Sequence, residues 1–136
     1  MMRTLLVSLS LVLIVGACAT PPRDAADSGP AVTGEVLYRE RIMLPPEAVL
    51  AVHLLDAPGA DAPAEVLATQ TIDIGDTAPP YSFRLPYDPQ SIDGDRRYTI
   101  QARIQYNDTL LMLNTEDYPV LTQGNPTNVE VLVRRP

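Results

Sequence analysis

Lysine and tryptophan are absent from the 136 residues, and cysteine, histidine and phenylalanine occur once each. A lone cysteine allows no intrachain disulfide, so outside the cytoplasm the fold must rest on core packing. A lone histidine, His53, rules out a multi-histidine metal site within one chain. On a strand it reads as a packing or edge residue. All ten basic side chains are arginines, set against 17 acids for a net charge of −7. That balance excludes nucleic acid, whose binding needs clustered cations to displace counterions from phosphate. Fourteen prolines and six tyrosines suit an all-β domain with many tight corners.

A long hydrophobic run occurs only at the N-terminus. Residues 1–17 carry Arg3, an apolar stretch from Leu5 to Val15, and small residues after it. About eleven apolar positions fall short of the roughly twenty that a spanning helix needs. The segment therefore reads as a lipoprotein signal peptide rather than an anchor. Val15-Gly16-Ala17-Cys18 resembles the lipobox of bacterial lipoproteins. What that resemblance implies is thioether lipidation of Cys18, cleavage before it, and acylation of the new amino terminus. At about 0.8 kcal/mol per buried methylene, two or three acyl chains hold a protein to a membrane almost permanently. Ala19, standing where a retention signal would carry aspartate, resembles the pattern that sorts lipoproteins to the periplasmic face of the outer membrane. Residues 18–31 read as the lipidated cysteine and a flexible linker, reaching roughly 20 Å from the membrane.

The domain proper is expected over residues 32–136. Val36, Leu37 and Tyr38 favour a first strand, and residues 49–55 are the most apolar run outside the signal. Pro45 and Pro46 between them cannot donate backbone hydrogen bonds, so the first strand ends before them. Further strands are expected at about residues 66–74, 81–85, 98–106, 110–113 and 129–133. In residues 98–106 the pattern is clearest: Tyr98, Ile100, Ala102, Ile104 and Tyr106 share one face, with Thr99, Gln101, Arg103 and Gln105 on the other. Asn107 and Asp108 tolerate the positive φ that a tight hairpin wants. Seven strands and no helix in about 105 residues predict an immunoglobulin-like β-sandwich. Such a domain is large enough to fold alone.

No constellation specifies a reaction. Asp88, Asp93 and Asp95 share a loop, but their spacing is not that of a calcium-binding EF-hand. The acids sit mostly in turns, whereas glycoside hydrolysis needs two facing one cleft. Asn107-Asp108-Thr109 fits a glycosylation sequon and reads as a hairpin turn. The protein is expected to be non-enzymatic, with no metal, cofactor or small-molecule substrate.

Amphipathy fails in two places. Residues 49–55 are apolar on both faces, with Val49, Ala51 and Leu55 on one side and Leu50, Val52 and Leu54 on the other. Residues 110–113 repeat the pattern. A sandwich strand buries one face, so the surplus is covered by a loop, covered by a partner, or left exposed. Leu50, Val52, Leu54, Leu111 and Leu113 are accordingly the expected partner-binding surface, for an added strand or a docked helix.

Val32-Thr-Gly-Glu-Val36, Leu44-Pro-Pro-Glu-Ala-Val-Leu50, Asp61-Ala-Pro-Ala-Glu-Val-Leu-Ala68, Leu85-Pro-Tyr-Asp-Pro89 and Tyr118-Pro-Val-Leu-Thr122, in that order, resemble the YbaY/YscW-like lipoprotein family. The resemblance covers essentially the whole mature domain and implies a lipid-anchored periplasmic β-sandwich. For the type III secretion lipoprotein chaperones, or pilotins, it implies a partner in the C-terminal tail of a secretin. A second branch of the family has no settled biochemical role, and the sequence resembles that branch more closely; the matched motifs are mostly turns and corners, which carry fold rather than a binding site. The expected role is a protein- or peptide-binding chaperone tethered to the outer membrane. The alternative is an envelope-maintenance module that binds glycan or another envelope component.

Overall fold

A computed structural model describes residues 28–59 and 61–136. The signal segment, Cys18 and most of the linker lie outside the described residues. Eight strands follow one another: β1 (Ala31–Leu37), β2 (Val49–Asp56), β3 (Glu65–Asp73), β4 (Tyr81–Pro86), β5 (Tyr98–Tyr106), β6 (Thr109–Leu113), β7 (Pro119–Val120) and β8 (Asn128–Leu132). One 3₁₀ turn, Pro89–Ser91, interrupts the β4–β5 loop, with Asp88 as its cap. The strands expected from the sequence are all present, and the two-residue β7 is added to them.

They form two sheets. The smaller has the order β4-β1-β8, with β1 antiparallel to β4 and parallel to β8. The larger runs β3-β2-β5-β6, with β7 also pairing β5. One apolar core draws on both: Val32, Val36, Phe83, Leu85 and Val131 from the smaller sheet meet Leu50, Val52, Leu54, Ile100, Ile104 and Met112 from the larger. This is a two-layered β architecture, as expected. Its strand order, with β1 between β4 and β8, is not the order that defines the immunoglobulin fold.

Strand β5 behaves as its alternation dictates. Tyr98, Ile100, Ala102 and Ile104 are buried, while Gln101 and Arg103 are only half-covered on the outer face. Asn107 (φ 46°) and Asp108 (φ 64°) make the tight turn into β6, the backbone that matches the twist of paired strands. Past Arg103 the outer edge of β5 loses β6, and β7 pairs only Tyr98 and Thr99. Asn114 fills the gap. Its Oδ1 accepts from Ala102 N–H at 2.7 Å, and its Nδ2 donates to the carbonyls of Ile100 (3.3 Å) and Glu116 (2.9 Å). A side-chain amide thus completes a strand edge where backbone is missing. Asn114→Ala should leave the Ala102 donor unpaired and cost about 1–3 kcal/mol, read as a shift in the urea midpoint at constant slope.

Side contacts join the sheets at both flanks. On one flank Arg84 N–H of β4 donates to Gln70 Oε1 of β3 at 2.6 Å. On the other, Leu113 and Arg134 exchange two backbone hydrogen bonds of 2.9 and 2.8 Å, and the Tyr118 hydroxyl accepts from Leu132 N–H at 3.0 Å. Polar groups on edge strands β4 and β8 are therefore capped, which blunts their capacity to template another strand.

Candidate functional site

The chemistry-bearing side chains are spread over different parts of the surface. His53 lies on the outer face of central strand β2, where its Nδ1 is 2.9 Å from Thr69 Oγ1 of β3. Burial first, and the nearby Arg103 guanidinium second, hold the imidazole below its ordinary 6.5. An unfolded chain takes up a proton there that the folded chain resists. Stability should therefore fall as pH drops through about 6.5 and below. His53→Gln should flatten that part of the pH profile in urea melts, and an unchanged profile would remove His53 from the account.

Acids in the β4–β5 loop are spent on turns. Asp88 Oδ1 accepts from Gln90 N–H and Asp93 Oδ1 from Asp95 N–H, both at 2.9 Å. Asp56, nearly buried at the end of β2, is held by Arg96 Nε at 2.9 Å. Among the described residues no group of three or more His, Cys, Asp or Glu side chains converges on a point where a metal ion would sit.

The surface expected from the apolar runs needs correction. Leu50, Val52 and Leu54 have no exposure at all. They form the inward face of β2, which is sandwiched between β3 and β5 and is the middle of the core. The surplus on β2 has two explanations. Val49 and Ala51 are half-covered on the outer face, and a bulge between Leu54 and Leu55 turns both leucines and Asp56 inward. A second irregularity opposite Ile104 and Gln105 buries Met112 and leaves Leu111 and Leu113 half-exposed. Leu113 stands across from Arg103 on the outer face of the larger sheet. Of the five expected residues, only Leu111 lines a recess.

That recess belongs to a feature the strand pattern did not reveal. Between β1 and β2 the chain runs through Ile42, Met43 and Leu44 before the Pro45-Pro46 corner. Ala48 N–H closes on the Pro45 carbonyl (2.9 Å), and Gly75 N–H ties the Pro46 carbonyl to the β3–β4 loop (3.0 Å). Prolines fix φ and lack a donor, so this corner is stiff; before it Ile42 and Leu44 pack partly against the core and Met43 points outward. Met43 is 97 % exposed. On one side of it lies a cleft of about 390 Å³ walled by Leu110, Leu111, Arg135 and Pro136. On the other lies one of about 210 Å³ walled by Tyr38, Ile74, Gly75 and Tyr81. The Tyr81 hydroxyl donates to the Thr77 carbonyl at 3.0 Å, and its pKa is pushed up to about 12 by burial and by the adjacent Tyr38. It stays a neutral donor at any physiological pH. Ile42–Leu44 is thus an apolar ridge between two recesses, rigid on its proline side. The available signal was three consecutive apolar residues in a connection, where polar ones are the rule.

The family of type III secretion system lipoprotein chaperones (YscW) matches residues 27–133. The chain belongs to that family. Among its relatives is a protein described as the uncharacterized lipoprotein YbaY of Escherichia coli (strain K12), 32 % identical over 133 residues, covering 85 % of this chain and 70 % of that protein. A solved structure, that of an alternative pilotin from the type II secretion system of Vibrio cholerae, superposes with a TM-score of 0.73 at 37 % identity, covering 76 % of this chain and 94 % of the pilotin. The YscW-family resemblance in the sequence motifs is therefore correct, and the family places the chain among envelope lipoproteins of the pilotin-like type.

Proposed function

We propose that this YscW-family chain is a non-enzymatic chaperone, anchored through lipid on Cys18 to the periplasmic face of the outer membrane, that docks a segment of another envelope protein on the Ile42–Leu44 ridge. The observation that carries the proposal is the ridge itself. A fully exposed methionine between two recesses is a poor way to end a loop and a good way to grip an apolar segment, because unbranched Met adapts to the shape it meets. Exposed apolar surface rimmed by polar residues marks interaction sites. Family membership and the likeness to a pilotin support a secretion-system component, such as a secretin tail, as the occupant.

A photo-crosslinking side chain at Met43 of the lipidated, full-length chain tests this in native membranes. One envelope protein, identified by mass spectrometry, is expected at Met43, with no adduct from the same probe at Thr71, which is exposed on strand β3. Equal adducts from both positions would sink the docking assignment. Peptidoglycan fragments in place of protein would transfer the role to envelope maintenance.

A further inference from the structure

The outer face of the smaller sheet holds a trough of about 400 Å³, lined in part by the small residues Thr33, Gly34 and Ser82. Glu35 of β1 and Glu130 of β8 stand at its side, directly opposite each other in the parallel register. Both are exposed, and among the described residues no arginine pairs with either. Like charges directly opposite on neighbouring strands are destabilising, so the position calls for a cation. The one base on this face, Arg84, turns its Nη2 to the Gly29 carbonyl at 2.6 Å.

The chain itself can deliver that cation. Its backbone bends at Ser28 and Gly29, just before β1, and the Arg84 bond holds the bend against the same face. Segment 19–27 leads into the bend and carries a single base, Arg23. Arg23 precedes Gly29 by six residues, a reach of up to about 20 Å. Glu35 stands two strand positions beyond Thr33, the residue opposite Arg84, or about 7 Å. We infer that the trough is the seat of the chain's own segment ahead of Ser28, with the Arg23 guanidinium between Glu35 and Glu130. Its planar fork suits carboxylates, and Asp24 and Asp27 then fall on the Arg84 side. The two signs thus follow one order along segment and face. Seating shortens the tether: Cys18 to Arg23 spans at most about 18 Å, against about 45 Å from Cys18 to Ala31. The clasp would loosen in salt, which screens exposed pairs, whatever the Ile42–Leu44 ridge docks.

The test applies trypsin to the lipidated full-length chain in nanodiscs of phosphatidylcholine, which carry no net charge, and follows cleavage after Arg23 by mass spectrometry. Glu35→Gln combined with Glu130→Gln should speed that cleavage about fivefold, the factor that two exposed pairs supply. Raised salt should remove the difference between variant and parent. Ser82→Trp fills the trough and leaves both glutamates in place; it should speed cleavage likewise, with the unfolding free energy from urea melts unchanged. Glu47→Gln combined with Asp61→Asn removes two exposed acids elsewhere and should leave the rate at the parent's. Equal rates for the parent and the Glu35/Glu130 variant, or a Glu47/Asp61 variant as fast as the Glu35/Glu130 one, would overturn the inference. If Ser82→Trp leaves the rate at the parent's, Arg23 meets the glutamates without entering the trough, and the seat is refuted.

Discussion

Gly34→Ala is expected to prevent the domain from folding stably. Gly34 sits in the middle of β1, the central strand of the smaller sheet, opposite Val129 of β8 and Phe83 of β4. A Cβ there would lie 1.9 Å from the Val129 carbonyl oxygen and 2.8 Å from Phe83 Cζ. The ring could rotate away, but the carbonyl belongs to a neighbouring strand. Relief requires β1 and β8 to separate, which breaks their parallel ladder and opens the core at Val32, Val36 and Val131. A loss of about 4 kcal/mol or more follows, against a total stability of about 5–15 kcal/mol for a domain. Adding Phe83→Ala to Gly34→Ala should not rescue the fold, because the backbone clash remains. Gly94→Ala is the control: nothing lies within 4 Å of its added carbon, and its effect should stay within about 0.5 kcal/mol. Urea melts that place the Gly34 and Gly94 variants together would refute the close-approach argument.

The second large effect concerns the anchor. Cys18 is the chain's only thiol and follows the small residues Gly16 and Ala17. Cys18→Ser should leave the protein without incorporated palmitate analogue and absent from the outer-membrane fraction. In the proposed anchor the acyl chains would supply the hold, at about 0.8 kcal/mol per buried methylene. Label retained by the serine variant would show that lipid is carried elsewhere. Because the domain folds around its own core, the variant should melt like the parent.

What the sequence made legible and what it hid divide along a physical line. Alternation is a local signal, and it located Ile100 and Ile104 in the core and the Asn107-Asp108 turn at the end of β5. Strand order is not local. Nothing in residues 31–37 states that β1 pairs in parallel with the last strand, about a hundred residues away, or that Gly34 is where their backbones approach most closely. The doubly apolar β2 misled for the same reason. Periodicity showed a surplus, but whether Leu50, Val52 and Leu54 face inward depends on which strands flank β2 and on the bulge at Leu55. Asn114 as a strand surrogate depends on the gap between β6 and β7, which only the fold creates. The ridge was hidden by the prolines beside it: Pro45-Pro46 drew the reading to a corner, and the exposure of Met43 between half-buried Ile42 and Leu44 depends on what that corner packs against.

The account turns on that ridge being a surface rather than a frayed piece of core. Met43→Ser and Leu111→Ser, each made in the lipidated full-length chain, should leave the unfolding free energy from urea melts within about 0.5 kcal/mol of the parent and abolish co-purification of the protein crosslinked through Met43. Leu50→Ser, by contrast, buries an unsatisfied hydroxyl in the core and should unfold the domain. Undiminished co-purification from both the ridge variant Met43→Ser and the cleft-wall variant Leu111→Ser, or melts showing them as damaging as Leu50→Ser, would contradict the assignment.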